Sequence, residues 1–123
     1  MQQRQLGPFS VSAIGLGCMN LSHGYGAPPG PEACARLLLR ALDLGVTLFD
    51  TAALYGFGAS EALIGKLLNA AGHRSRFLLT SKGGMAGETV AGGVKRVIDG
   101  RPEAIRRHID ASLGRLQTDV IDL

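Results

Sequence analysis

The strongest constraint on the fold is a regular alternation of short apolar runs with helical stretches. Val46-Thr47-Leu48-Phe49-Asp50 and Arg76-Phe77-Leu78-Leu79-Thr80-Ser81-Lys82 are strand-like and too short to be buried helices. Between them a helix is expected from about Ser60, a good cap, through Leu63, Ile64, Leu67 and Leu68. Upstream, Ile14 to Gly17 reads as a short strand entering a Gly/Pro-rich loop, Asn20 to Gly30. Pro31 and Glu32 then open a helix, because proline suits its first position and an acid its positive end. Leu37, Leu38, Ala41 and Leu42 form its apolar stripe, and Gly45 is a natural left-handed stop. Downstream, Gly83 to Gly93 holds five glycines without a regular period and is expected to be a flexible loop. Pro102 and Glu103 open a third helix, with Ile105, Ile109, Ser112, Leu113 and Leu116 as its buried face. Val120 to Leu123 reads as a fourth strand. At the other end, Arg4 to Leu6 and Phe9 to Ala13 suit a small hairpin across the Gly7-Pro8 turn.

Strands apolar on both faces, alternating with helices, imply a parallel sheet covered by helices. The two common solutions are an open doubly wound sheet and a closed eight-stranded barrel. Asp50 and Lys82 end their strands, where either fold builds its site. Gly15-Leu16-Gly17-Cys18-Met19 lacks the further glycine of a dinucleotide turn, and the loop after it is too long for one. The barrel is therefore favoured. The expectation is an α/β fold: a (β/α)8 TIM barrel, with residues 1–123 forming an incomplete N-terminal part of about four strand-helix units after the hairpin.

Charge and composition exclude several classes. A net charge of +3, with scattered basic residues and no interleaved aromatics, implies neither a nucleic-acid partner nor an anionic membrane surface. The N-terminus has no apolar core of a signal peptide, and no run approaches a membrane span. Cys18 and Cys34 are not spaced as a metal knuckle or redox pair, so both are read as reduced and the compartment as cytoplasmic. His23, His73 and His108 are far apart and form no metal-ligand pattern. His108, beside Arg106 and Arg107, is expected at the surface.

Strand alternation puts Leu48 and Asp50 on one face, and Leu78, Thr80 and Lys82 on one face. If those faces point inward, acid and amine meet at the mouth as a half-buried pair. Tyr55 follows Asp50 by five residues and can reach the same place. A phenol beside an ammonium has its ionised form favoured, which suits a general acid donating to a carbonyl oxygen. Each residue also has a structural reading: Asp50 as a turn cap, Tyr55 as loop packing, Lys82 as a solvated strand end. The loop Asp50-Thr51-Ala52-Ala53-Leu54-Tyr55-Gly56, with a polar start and an exposed aromatic, and bounded by Gly56 and Gly58, nevertheless looks like a site loop.

These segments resemble the N-terminal part of the aldo-keto reductases. Ile14 to Met19 is similar to their first barrel strand, and Phe49 to Glu61 to their signature after the second. Thr80-Ser81-Lys82-Gly83-Gly84 matches the third strand end, and Ala111 to Leu123 the entry to the fourth strand. The resemblance implies NADPH-dependent reduction of an aldehyde or ketone, with Tyr55 as proton donor, Lys82 tuning it and Asp50 holding Lys82. It places Gly17, Cys18 and Met19, with Asp50, near the nicotinamide, puts the hairpin at the barrel bottom and lays the Gly83–Gly100 segment over the mouth. It covers well under half of a family member, leaving the family's catalytic histidine and most of its phosphate and adenine pocket outside the chain. The 123 residues alone are therefore expected to be inactive and to self-associate through exposed half-barrel edges. A Schiff-base lyase using Lys82, and a non-catalytic or regulatory subunit, are the competing readings.

Overall fold

The computed structural model describes residues 1–123. Strands β1 (Gln3–Leu6) and β2 (Phe9–Ser12) form an antiparallel hairpin. Strands β3 (Leu16–Gly17), β4 (Leu48–Asp50) and β5 (Leu78–Thr80) form a parallel sheet in chain order. Helix α1 (Pro31–Asp43) connects β3 to β4, and α2 (Ala59–Ile64), widened into a π turn over Gly65–Asn69, connects β4 to β5. A second antiparallel hairpin, β6 (Met85–Val90) with β7 (Gly93–Ile98), precedes α3 (Pro102–Leu116). Alternating strands and helices thus build part of a (β/α)8 barrel, with the sheet open rather than closed.

One face of the sheet carries the core. Phe49 and Leu79, paired across β4 and β5, are fully buried with Leu38 of α1, Ile64 and Leu68 after β4, and Leu116 of α3. The Phe49 and Phe77 rings sit 4.9 Å apart at 51°. Burying each large side chain contributes roughly 1.5–3 kcal/mol, and this layer fixes the strand register. Leu48 and Asp50 necessarily point the other way. The first hairpin is tied to the opposite end of the sheet: Ser12 N–H donates to Thr47 Oγ1 at 2.8 Å, and Thr47 N–H to Ser12 Oγ at 2.9 Å.

Several expectations need correction. Gly83 to Gly93 is not a structureless loop but most of the β6–β7 hairpin, turning at Ala91-Gly92. Its β-branched residues Thr89, Val90, Val94, Val97 and Ile98 carry that pairing, and the glycines mask it. Ser60 does not cap α2: Gly58 does, and Ser60 lies fully buried in the first turn. In α1, Cys34 is buried while Leu37 is exposed. In α3 the packed positions are Ala104, Ser112 and Leu116, whereas Ile109 is exposed. Ile105, Ile109 and Leu113 instead line a groove of about 480 Å³ shared with Val120, Ile121 and Leu123. His108 is half-buried, and its Nδ1 accepts from Gly84 N–H at 3.1 Å.

The expected fourth strand forms no regular ladder, yet residues 120–123 run beside β5. Asp122 N–H donates to Leu79 O at 2.9 Å, and Ser81 N–H to Leu123 O at 3.1 Å. Arg74 clips this segment down, pairing with Asp122 at 2.6 Å and donating to Val120 O at 3.0 Å. Gly45 has φ +83 after α1, the left-handed stop expected of it. No helix is long and apolar enough to cross a membrane, and no three His, Cys, Asp or Glu side chains gather as metal ligands. Both cysteines are free and buried.

Candidate active site

Asp50 and Lys82 meet at the C-terminal ends of β4 and β5. Lys82 Nζ lies 2.8 Å from Asp50 Oδ1 and 2.7 Å from Oδ2, and donates to Thr51 O at 2.8 Å. All three ammonium donors are thereby used. Thr80 Oγ1, on the same strand face, donates to Asp50 Oδ1 at 2.5 Å. The pair is about half exposed, 51% for the Lys82 side chain and 42% for Asp50. An ion pair this open contributes little to stability by itself. Its value lies in holding the ammonium still.

Tyr55 stands in the turn Tyr55–Gly58 that leads from β4 into α2. The Lys82 ammonium is 5.3 Å from the centre of its ring, within cation–π range, and makes no hydrogen bond to the phenol oxygen. The three residues singled out in the sequence are thus brought together. The turn itself is strained: Phe57 adopts φ +52, rare for an aromatic residue and costing roughly 1–2 kcal/mol. The next residue can only be glycine. Gly58 has φ +96, and a Cβ there would press into the Arg115 side chain at 2.6 Å. The second hairpin packs on this turn, with Gly87 against Phe57; a Cβ at Gly87 would lie 2.6 Å from that ring.

Gly17 is exposed beside the pair, in register with Asp50, and a Cβ there would meet nothing within 4 Å. Met19 is half-buried. Cys18 differs: its side chain turns fully into the core, and only its backbone belongs to the site, N–H donating to Asp50 O at 2.8 Å. Burial pushes the Cys18 thiol up to about 12, and the Asp50 carboxylate adds to the rise while Lys82 opposes it. Cys18 is therefore a protonated core thiol, with no nucleophilic character at neutral pH.

Four residues that bear on the site, Thr51, Ser60, Glu61 and Ser81, were not assigned to it from the sequence, where Ser60 figured only as a helix cap. Thr51 and Ser60 are fully buried and joined, Thr51 Oγ1 donating to Ser60 Oγ at 2.9 Å. Glu61 is fully buried, accepts from Ser81 Oγ at 2.6 Å and pairs with Arg115 at 2.7 Å. The signal was available in the alternation: if Asp50 and Lys82 face the mouth, Thr51 and Ser81 must face the helices and need polar partners there.

A model of the aldo/keto reductase family matches residues 13–123. The chain is 39% identical over 120 residues to the Schizosaccharomyces pombe protein named aldo-keto reductase yakc, NADP(+), covering 98% of this chain and 34% of that one. Among solved structures, an aldo-keto reductase from Bacillus halodurans in its holo form superposes with a TM-score of 0.82 at 34% identity, over 98% of this chain and 38% of that one. An aldo/keto reductase from Klebsiella pneumoniae, in complex with NADP and acetate, gives 0.62 at 32% identity, over 92% and 34%. The chain spans about a third of the length of the curated relatives it matches.

Proposed function

The chain belongs to the aldo/keto reductase family, and on that premise we propose that the protein reduces an aldehyde or ketone to an alcohol, with Tyr55 delivering the proton. The observation that carries this reading is the Lys82 ammonium, fixed by Asp50 and Thr51 O and set against the Tyr55 ring. A cation held there favours the negative charge that builds on the phenol oxygen as its proton moves to the carbonyl oxygen. The proton goes to oxygen; the carbonyl carbon receives the hydride. NADPH, when bound, supplies that hydride, in keeping with the NADP(+) in the name of the fission-yeast relative.

The residues present fit such a cofactor's nicotinamide end. Gly17 leaves open space beside Asp50, next to the Cys18 main chain, and Met19 follows directly in the chain. Asp50 holds the Lys82 amine in place and aimed; Tyr55 donates. The geometry speaks against a Schiff-base lyase, since an ammonium with three acceptors is a poor amine nucleophile. By themselves the 123 residues turn over little, because a three-stranded open sheet does not enclose substrate from water.

The test is steady-state NADPH oxidation by a full-length polypeptide carrying these residues, with a panel of aldehydes and ketones, alongside NADPH titration by fluorescence. Turnover dependent on both cofactor and carbonyl is the expected result. Tight NADPH binding with no turnover on any carbonyl would favour the non-catalytic subunit. Absence of both would overturn the reading for these residues.

A further inference from the structure

We propose that Thr51 and Ser81, anchored on the consecutive residues Ser60 and Glu61 of α2, are positioning residues that aim the Asp50–Lys82 pair at Tyr55. The inference rests on the reductase reading above and deepens it. Neither hydroxyl faces the mouth. Each belongs to the residue immediately after or before a member of the pair, and strand alternation turns it towards the helices.

The two anchors are built alike. Thr51 Oγ1 donates to Ser60 Oγ at 2.9 Å, and Ser60 Oγ donates on to Cys18 O at 3.0 Å. Cys18 N–H in turn donates to Asp50 O at 2.8 Å. Ser60 therefore holds the two neighbours of Asp50, Thr51 through its hydroxyl and Cys18 through its carbonyl. On the neighbouring strand, Ser81 Oγ donates to Glu61 Oε1 at 2.6 Å, and Glu61 Oε2 is held by Arg115 of α3 at 2.7 Å. Thr51 also presents the carbonyl that receives the third Lys82 proton. A shift at Thr51 moves the acid and one ammonium acceptor together.

Burial argues for purpose over packing. Thr51, Ser60 and Glu61 have no exposed surface. A buried carboxylate loses its hydration, and apolar residues of like volume fill such space at least as well. What the polar set supplies and apolar packing does not is a defined roll of each strand end. The first turn of one helix thus sets two adjacent strands relative to each other, directly beneath the mouth.

The experiment uses Thr51→Val, which keeps the shape and deletes the hydroxyl, and Thr51→Ser, which restores it. Ser81→Ala and Ser81→Thr form the second pair. Because a displacement of about 1 Å at a catalytic group costs about a hundredfold in rate, partial release should lower kcat roughly tenfold or more. KM and the NADPH Kd should change less than about twofold, and the hydroxyl-bearing variants should recover the rate. In parallel, amine labelling of Lys82, followed by mass spectrometry, should accelerate several-fold in Thr51→Val and Ser81→Ala alone. Folding of each variant is checked by melting, and if Thr51→Val does not fold, the Ser81 pair decides. No turnover in the unmutated protein would refute the reductase reading, and labelling would then decide the positioning on its own. Equal kcat, or equal Lys82 labelling, with and without the hydroxyls would overturn the proposal.

Discussion

Two glycines inside helical turns should respond oppositely to the same substitution. Gly65, at the start of the π turn after α2, lies against the end of α3. A Cβ there would overlap the Arg115 carbonyl oxygen and lie 2.8 Å from the Leu116 carbonyl carbon. Gly114, within α3, faces open space, with nothing within 4 Å of its Cβ position. Replacing a helical glycine by alanine stabilises by about 1 kcal/mol where the site is free. Gly114→Ala should therefore gain about 0.5–1 kcal/mol. At Gly65 the two segments must part by roughly 1 Å to reach ordinary contact, and overpacking of this kind costs about 1–3 kcal/mol. The parting also stretches Asn69 Nδ2 to Leu116 O, now 2.6 Å, and Glu61 to Arg115, now 2.7 Å. Together these outweigh the propensity gain, leaving Gly65→Ala about 1–3 kcal/mol less stable. Urea titration gives the sign directly, and the melting temperature should move about 3–5 °C per kcal/mol. If Gly65→Ala stabilises as Gly114→Ala does, the close approach of α2 and α3 is not real, and the anchoring of Ser81 through Glu61 and Arg115 loses its support.

Arg115→Met strands a fully buried carboxylate at Glu61. Stability should fall by about 3–5 kcal/mol, with Glu61→Gln added recovering part of it in a denaturant double-mutant cycle. Cys18 makes an alkaline prediction: its folded thiol lies near 12 against an ordinary 9.0, so the unfolded chain alone loses the proton between those values. The contribution is complete below pH 9 and vanishes as pH rises towards 12, at about 1.4 kcal/mol per unit and about 4 kcal/mol in all. The stability difference between wild type and Cys18→Ala, measured at pH 8 and near pH 11, should shrink by most of that amount; an unchanged difference would contradict the burial argument. Residues 1–123 expressed alone should self-associate, because the parallel sheet is open and Ile109, Val120 and Leu123 are exposed. Light scattering showing a stable monomer would contradict this.

What could be read from the sequence, and what could not, follows from how each residue signals its surroundings. Phe49 against Asp50, and Leu79 against Thr80 and Lys82, announce their faces by period two, so the sheet and its polar end were legible. Tyr55 was legible because it follows Asp50 by five residues in a loop that Gly56 and Gly58 close. The β6–β7 hairpin was hidden because Gly83, Gly84, Gly87, Gly92 and Gly93 dilute the β-branched residues that pair it. Ser60 looked like a helix cap because caps and buried helix–strand anchors use the same hydroxyl. Ile109 and Leu113 show the period of a packed face but line a groove, since period reports apolarity and not what covers it. Cys18 follows Gly17, which pairs with Asp50, so the same period of two that sets Asp50 towards the mouth turns the Cys18 side chain towards the core.

In the proposed reaction Tyr55, held against Lys82, supplies the proton. The direct test is Tyr55→Phe in the protein, with kcat measured alongside the NADPH Kd by fluorescence. Turnover should fall by about 10²- to 10⁴-fold, the usual contribution of a positioned acid, while Kd stays within about twofold. Turnover retained within a few-fold of the unmutated protein would contradict it and remove Tyr55 from the mechanism.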